Sequence, residues 1–137
     1  MGGNIIHIAL LGRDERAKRI IIKAQDKGVD INSQNKFGQT PLMVAIKNLI
    51  TARHDDEIPV DLSIIKFILD LNPDINIQDK NNQTAFHFAC MSKSTALLAL
   101  IFLKQPNIFI QDVKGKRASD YLKTEEMKEL YRKNVNI

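Results

Sequence analysis

Apolar residues recur along this chain at helical spacing, not at the alternation of a half-buried strand. Phe86, Ala89 and Cys90 stand at i, i+3 and i+4, and Leu97, Leu98, Ile101 and Phe102 form a second such face shortly after. The punctuation around these runs agrees. Thr40 and Thr84 precede apolar segments and are predicted N-caps, each hydroxyl accepting a bond from an orphan backbone N–H for about 1 kcal/mol. Pro41 then falls on the first helical position, where its missing N–H costs nothing. Asn72-Pro73 and Gln105-Pro106 are placed to stop second helices, since proline cannot continue them. Gly38 and Gly115 allow positive φ in the turns before the first helices, and Asn82 is the residue type that best tolerates it without being glycine. A further helix is expected from Thr124 to Tyr131, with Glu125 and Glu126 favoured by its dipole and Met127, Leu130 and Tyr131 packing backward. The charge-alternating stretch Arg13 to Arg19 reads as an exposed helix surface.

These segments are copies of one another. Asp30-Ile31-Asn32 matches Asp74-Ile75-Asn76 at an offset of 44 and then Asn107-Ile108-Phe109 at a further 33. Gly38-Gln39-Thr40-Pro41-Leu42 matches Asn82-Gln83-Thr84-Ala85-Phe86 and then Gly115-Lys116-Arg117-Ala118-Ser119 at the same two offsets. Two independent landmarks therefore share a 33-residue period, with an excess of 11 residues in the same unit. The small residues Ala9, Ala45 and Ala89 let neighbouring first helices approach closely.

A 33-residue period whose units open on a Thr-Pro-Leu-His-like start resembles the ankyrin repeat. The most complete unit runs Asp-Lys-Asn-Asn-Gln-Thr-Ala-Phe-His-Phe-Ala-Cys from Asp79. The resemblance implies an all-α solenoid of about four helix-turn-helix units with short β-hairpin-like turns. It makes residues 1–137 a single domain, with units at about 4–34, 35–78, 79–111 and 112–137 and the end units acting as caps. The fourth unit degenerates after Leu122. His7 and His87 hold the histidine of the repeat pattern, which implies hydrogen bonds within the fold and no catalytic role.

The 11 extra residues lie within Lys47 to Ser63. This stretch reads as a solvent loop, with the first helix running a turn longer, or as a loop that touches a partner. Asp61 is a plausible N-cap for a helix from Leu62 to Asp70. His54-Asp55-Asp56-Glu57 is a poor metal site, because consecutive side chains diverge and no second histidine or cysteine stands at ligand spacing. No metal or other cofactor is expected.

Composition narrows the function classes. Hydrophobic residues make up 44% and charged residues 26%, ordinary globular usage that argues against disorder. The net charge of +4 is spread among interleaved acids, unlike the single basic stripe of a dedicated nucleic-acid binder. The single cysteine, Cys90, allows no intrachain disulfide, fits a reducing cytoplasm and falls on the inner apolar face as an unreactive thiol. The start, Met1 to His7, lacks the charges and apolar run of a signal peptide, and Ile6 stands where a myristoylation motif wants Ser or Thr. No run reaches the roughly 20 apolar residues of a membrane span. A monomer is expected. No nucleophile triad, phosphate loop or paired-cysteine spacing supports an enzyme.

The resemblance implies a protein-binding module or adaptor that grips a partner protein with its concave face and turn tips. The partner-facing positions carried over are Gln34, Lys36, Phe37, Gln39, Lys47 and Asn48 in the second unit, and Lys80, Asn81, Gln83, Met91 and Ser92 in the third. Val113, Lys114 and Lys116 follow in the fourth. Phe37 is either an exposed anchor at a turn tip or a ring folded onto its hairpin neighbour. Nineteen isoleucines and eleven asparagines suggest an AT-rich genome, as in the small ankyrin proteins that intracellular bacteria deliver into host cells as effectors. The competing reading is nucleic-acid or anionic-lipid binding through the basic faces near Lys114, Lys116, Arg117 and Lys123.

Overall fold

The structure is a computed structural model, and it describes residues 6–7, 10, 14–52 and 61–135. Its helices are α1 (Asp14–Asp26), α2 (Pro41–Ala52), α3 (Ser63–Asp70), α4 (Ala85–Met91), α5 (Thr95–Phe102), a 3-10 turn (Ala118–Tyr121) and α6 (Glu125–Val135), with Ile6 and His7 also helical. No strand occurs among the described residues beyond one isolated antiparallel bridge, Gln111 to Arg117. The chain is an all-α solenoid. First helices stack in one row, with α2 against α4 and α4 against the 3-10 turn. Second helices pack behind them, with α1 on α3, α3 on α2, α5 on α4, and α6 on α5.

The two rows meet in one apolar seam. Leu42, Met43 and Ile46 of α2 and Phe86, Ala89 and Cys90 of α4 are buried from one side. Ile21 of α1, Ile65, Ile68 and Leu69 of α3, Leu97, Leu98 and Ile101 of α5, and Met127 of α6 close it from the other. No unit could bury its own face alone, so each helix pair depends on its neighbours. Ala45 and Ala89 are both buried where the first helices approach; Ala9 lies outside the described residues.

Caps explain the helix starts. Thr84 accepts the His87 N–H while the His87 ring takes the Thr84 N–H, a reciprocal cap. Thr40 accepts the Met43 N–H, and Thr124 accepts the Met127 N–H. Arg117 stands at the repeat position of Thr40 and Thr84 and has no hydroxyl. Asp120 reaches back to its N–H instead, and only the 3-10 turn follows.

Two expectations need correction. α3 begins at Ser63, one residue later than expected, with the Asp61 carboxylate accepting the Ser63 N–H. The second helices also stop before their prolines. α3 ends at Asp70, as expected, and α5 at Phe102, and it is the means of stopping that differs: the chain turns through Asn72 (φ 56) and Gln105 (φ 53) in the left-handed region before either proline. Gly28 makes the same turn after α1, at the same repeat offset. The reversal is a left-handed helix exit; the prolines only prevent the helix from resuming.

In the enlarged unit, α2 is 12 residues long where α4 is 7, so part of the insertion extends the first helix. His54 to Glu57 lies outside the described residues.

Three hairpins link the units by one repeated scheme. Asn35, Asp79 and Asp112 each place a side-chain oxygen on two backbone N–H groups of their own turn: Phe37 and Gln39, Asn81 and Gln83, Lys114 and Lys116. Adjacent hairpins are then joined by Lys80 N–H to Phe37 O and Val113 N–H to Asn81 O, both 3.0 Å.

Gly38 lies where this stacking is tightest. Its φ is +77, and an added Cβ would meet backbone atoms of the next hairpin, Lys80 N at 2.9 Å and Asp79 Cα at 3.0 Å. Gly115 has nearly the same φ, +75, and nothing within 4 Å of an added Cβ. Asn82 shows that a side chain can be seated at the equivalent place, so the clash belongs to this particular pair of hairpins. Gly38→Ala is therefore expected to destabilise by about 2–3 kcal/mol in urea unfolding and Gly115→Ala by only about 1–2 kcal/mol, the left-handed backbone cost alone. Equal losses would show that hairpin contact contributes nothing.

Candidate functional site

The hairpin tips and the open side of the first helices form one surface along the stack. At the tips the residue pairs are Lys36-Phe37, Lys80-Asn81 and Val113-Lys114, in matching positions of successive units. All six are exposed. Phe37 is 55% and Val113 59% exposed, which settles Phe37 as an open ring and not one folded away. The Lys36 ammonium stands 5.1 Å from the Phe37 ring centroid, so the tip presents an apolar face with a cation at its edge.

Behind the tips, several expected contact residues turn out to be occupied. Gln39 and Ser92 are buried. Gln39 is held through its backbone carbonyl, which accepts from Asn35 N–H and from the His7 Nε2, and Ser92 donates its hydroxyl to Ala89 O at 2.6 Å. Both are structural. Gln34 is exposed, yet its amide clamps two units by donating to Gly38 O at 2.8 Å and Gln78 O at 3.1 Å. Asn48 donates to Leu10 O, and Gln83 reaches the Asp112 carboxylate at 3.5 Å. Lys47 lies half-buried with its ammonium 5.7 Å from the Phe88 ring, and Met91 is half-buried at the end of α4. Lys116 is exposed with its ammonium 5.5 Å from the Tyr121 ring.

The acids of the hairpins point inward. Asp79 and Asp112 are 6% and 5% exposed, with their charge directed at turn N–H groups. Burial alone would raise the Asp112 carboxyl. Bonds from the Tyr121 hydroxyl, the Lys116 and Lys114 N–H groups and the Gln83 amide outweigh it and hold the group at about 2. Asp112 in turn pushes the Tyr121 phenol above its ordinary value. The acids of the turns are thus used within the fold while the lysines stay at the surface.

The remaining candidate chemistry is structural. The His87 Nε2 bonds the Lys116 carbonyl at 3.2 Å, just as the His7 Nε2 bonds Gln39 O at 2.8 Å, so each histidine ties its own unit to the next hairpin. Cys90 is fully buried, and desolvation pushes its thiol up to about 12, which keeps it from acting as a nucleophile. Among the described residues no cluster of three metal-ligating side chains occurs, and no helix is long and apolar enough to cross a membrane.

A model of ankyrin repeats (many copies) matches residues 60–102, and a model of the single ankyrin repeat matches residues 37–80. The chain belongs to the ankyrin-repeat family. Its fold is similar to that of the ankyrin repeat domain of Bcl-3, a unique member of the IkappaB protein family, with a TM-score of 0.73 at 18% identity. That match covers 96% of this chain and 52% of the other, so this ankyrin protein spans about half the length of the domain it resembles. Ankyrin repeats are generally protein–protein interaction modules with a non-catalytic fold.

Sequence reasoning missed one exposed pair on this ankyrin stack. Phe109 is 64% exposed, with the Arg117 guanidinium 5.2 Å from its ring centroid. The signal was present: Phe109 occupies the repeat position of Asn32 and Asn76, whose side chains accept the N–H of Asp74 and Asn107 in the next unit. An aromatic cannot do that, and its ring is left at the surface.

Proposed function

We propose that this protein is a non-catalytic adaptor that binds a partner protein across its hairpin tips, with Lys47 and Met91 of the first helices as the floor of the surface. The observation that carries the reading is the unoccupied aromatic tip: Phe37 is 55% exposed on a turn fastened by four backbone and side-chain bonds. A large apolar side chain held rigidly in water contributes binding energy at little ordering cost. Gln34, Asn48 and Gln83 frame the surface by holding neighbouring units together, and Gln39 and Ser92 support it from within. The isoleucine- and asparagine-rich composition supports a role as a bacterial effector acting on host proteins in the cytoplasm. The protein acts as a monomer in this reading.

The test is affinity capture from cell lysate with the native protein and with a Phe37→Ala, Lys80→Ala, Met91→Ala variant that unfolds at the same denaturant concentration. Loss of one specific protein from the variant's capture is expected. Identical captures would assign partner binding to another surface, or to none.

A further inference from the structure

We propose that the segment bound by the hairpin tips is an extended acidic one, with a carboxylate at every third residue and an apolar side chain seated on Phe37. This inference rests on the tip surface being the binding surface and names the chemistry of what it takes. Three observations support it. Each tip carries one lysine, Lys36, Lys80 and Lys114, and all three are exposed. Among the described residues none of them has a carboxylate partner; the ion pairs are elsewhere, on α1 and α6. The two acids within the hairpin turns, Asp79 and Asp112, are buried and bonded to their own backbone N–H groups and cannot neutralise the row. Charge of one sign, displayed in a line with its counter-charge withheld, attracts an acidic ligand.

The periodicity follows from the backbone. Adjacent hairpins are hydrogen-bonded directly, Lys80 N–H to Phe37 O and Val113 N–H to Asn81 O. Two chain segments per hairpin, each about 4.8 Å from the next, place successive tips about 10 Å apart. An extended chain advances about 3.3 Å per residue, so every third side chain meets a new tip and its lysine, with Lys36 and Lys80 in matching positions and Lys114 one residue further along its own tip. At the Phe37 end the ligand's apolar side chain covers the open ring while a neighbouring carboxylate reaches Lys36. Asn81, exposed at the middle tip, is a neutral partner for the ligand's backbone.

The experiment is fluorescence anisotropy on the full chain. The probe is a labelled peptide with glutamate at every third position, one phenylalanine beside the first glutamate and serine elsewhere. The control peptide has the same composition with its glutamates clustered at one end. Expected are saturable binding of the periodic peptide, about fivefold weaker binding of the clustered one, and a loss of about tenfold or more in a Lys36→Glu, Lys80→Glu, Lys114→Glu variant. Lys66→Glu, on the exposed side of α3, is expected to bind as the native protein does. Because a charge-reversed variant can also lose stability, the same titration is run on the native protein at rising salt, where affinity must fall. Equal binding of both peptides, insensitivity to the triple reversal, or tighter binding of oligothymidylate or of phosphatidylserine vesicles would overturn the proposal. If lysate capture depends on Phe37, Lys80 and Met91 while the glutamate peptide fails to bind, the acidic ligand is wrong and the tip surface stands. If capture is also unchanged, the surface itself is wrong.

Discussion

Phe86→Ala is expected to destabilise the stack by about 3–5 kcal/mol, a large fraction of what a domain of this size has to lose. The ring is 1% exposed at the start of α4 and meets Phe102 of α5 edge-on, with centroids 5.3 Å apart. Phe102 in turn lies 6.1 Å from Tyr131 of α6, so the aromatic line crosses three helices. Truncation leaves a cavity where the two rows meet, and the helices cannot collapse into it without parting from both neighbours. Equilibrium urea unfolding followed by circular dichroism measures the loss. Phe86→Leu is expected to cost less than half as much, because Leu42 fills the equivalent place one unit earlier and is equally buried. A Phe86→Ala loss below about 1.5 kcal/mol would mean that the seam relaxes freely and is not close-packed.

The second large effect is expected at a polar residue. His87→Ala removes the ring that receives the Thr84 N–H at 3.2 Å and that bonds the Lys116 carbonyl of the next hairpin. His87 is 1% exposed and Thr84 likewise, so the orphaned N–H has no route to water. An unsatisfied buried donor and a lost cross-unit bond together cost about 2–4 kcal/mol. The loss has a location as well as a size. Hydrogen exchange should quicken at the Asp112 to Lys116 hairpin, which His87 fastens to α4, while the amides of α2 stay protected in the native state. Uniform quickening across α2 and α4 would show that the histidine supports the whole stack and not this one junction.

Much of this was legible in the chain. The offsets of 44 and 33 residues locate the hairpins, and the Thr, Pro and Gly positions locate the first helices, because caps and left-handed turns are demands of the backbone that few residue types meet. The two histidines were also readable as internal ties. The candidate surface was less so. Gln39 and Gln83 occupy the same repeat position and read alike, yet Gln39 is buried and Gln83 half-exposed. Ser92 looks like a surface polar residue, and its burial follows from its hydroxyl turning back onto the end of α4. The prolines were legible as stop signals, but the left-handed exits at Asn72 and Gln105 that act ahead of them were not, because neither residue is a glycine.

Taken alone, the order of residues determined the architecture: a period, a helix pair per period, and an apolar stripe that only a neighbouring copy could cover. Those are local properties, set by backbone preference and side-chain spacing, and they survive being read one segment at a time. Which side chains remain available to a partner was decided by the tertiary structure. Availability depends on what the next unit brings within hydrogen-bonding distance: a carbonyl for Gln34, a carboxylate for Gln83, open water for Phe37. Nothing in a residue's own neighbourhood along the chain encodes that distance.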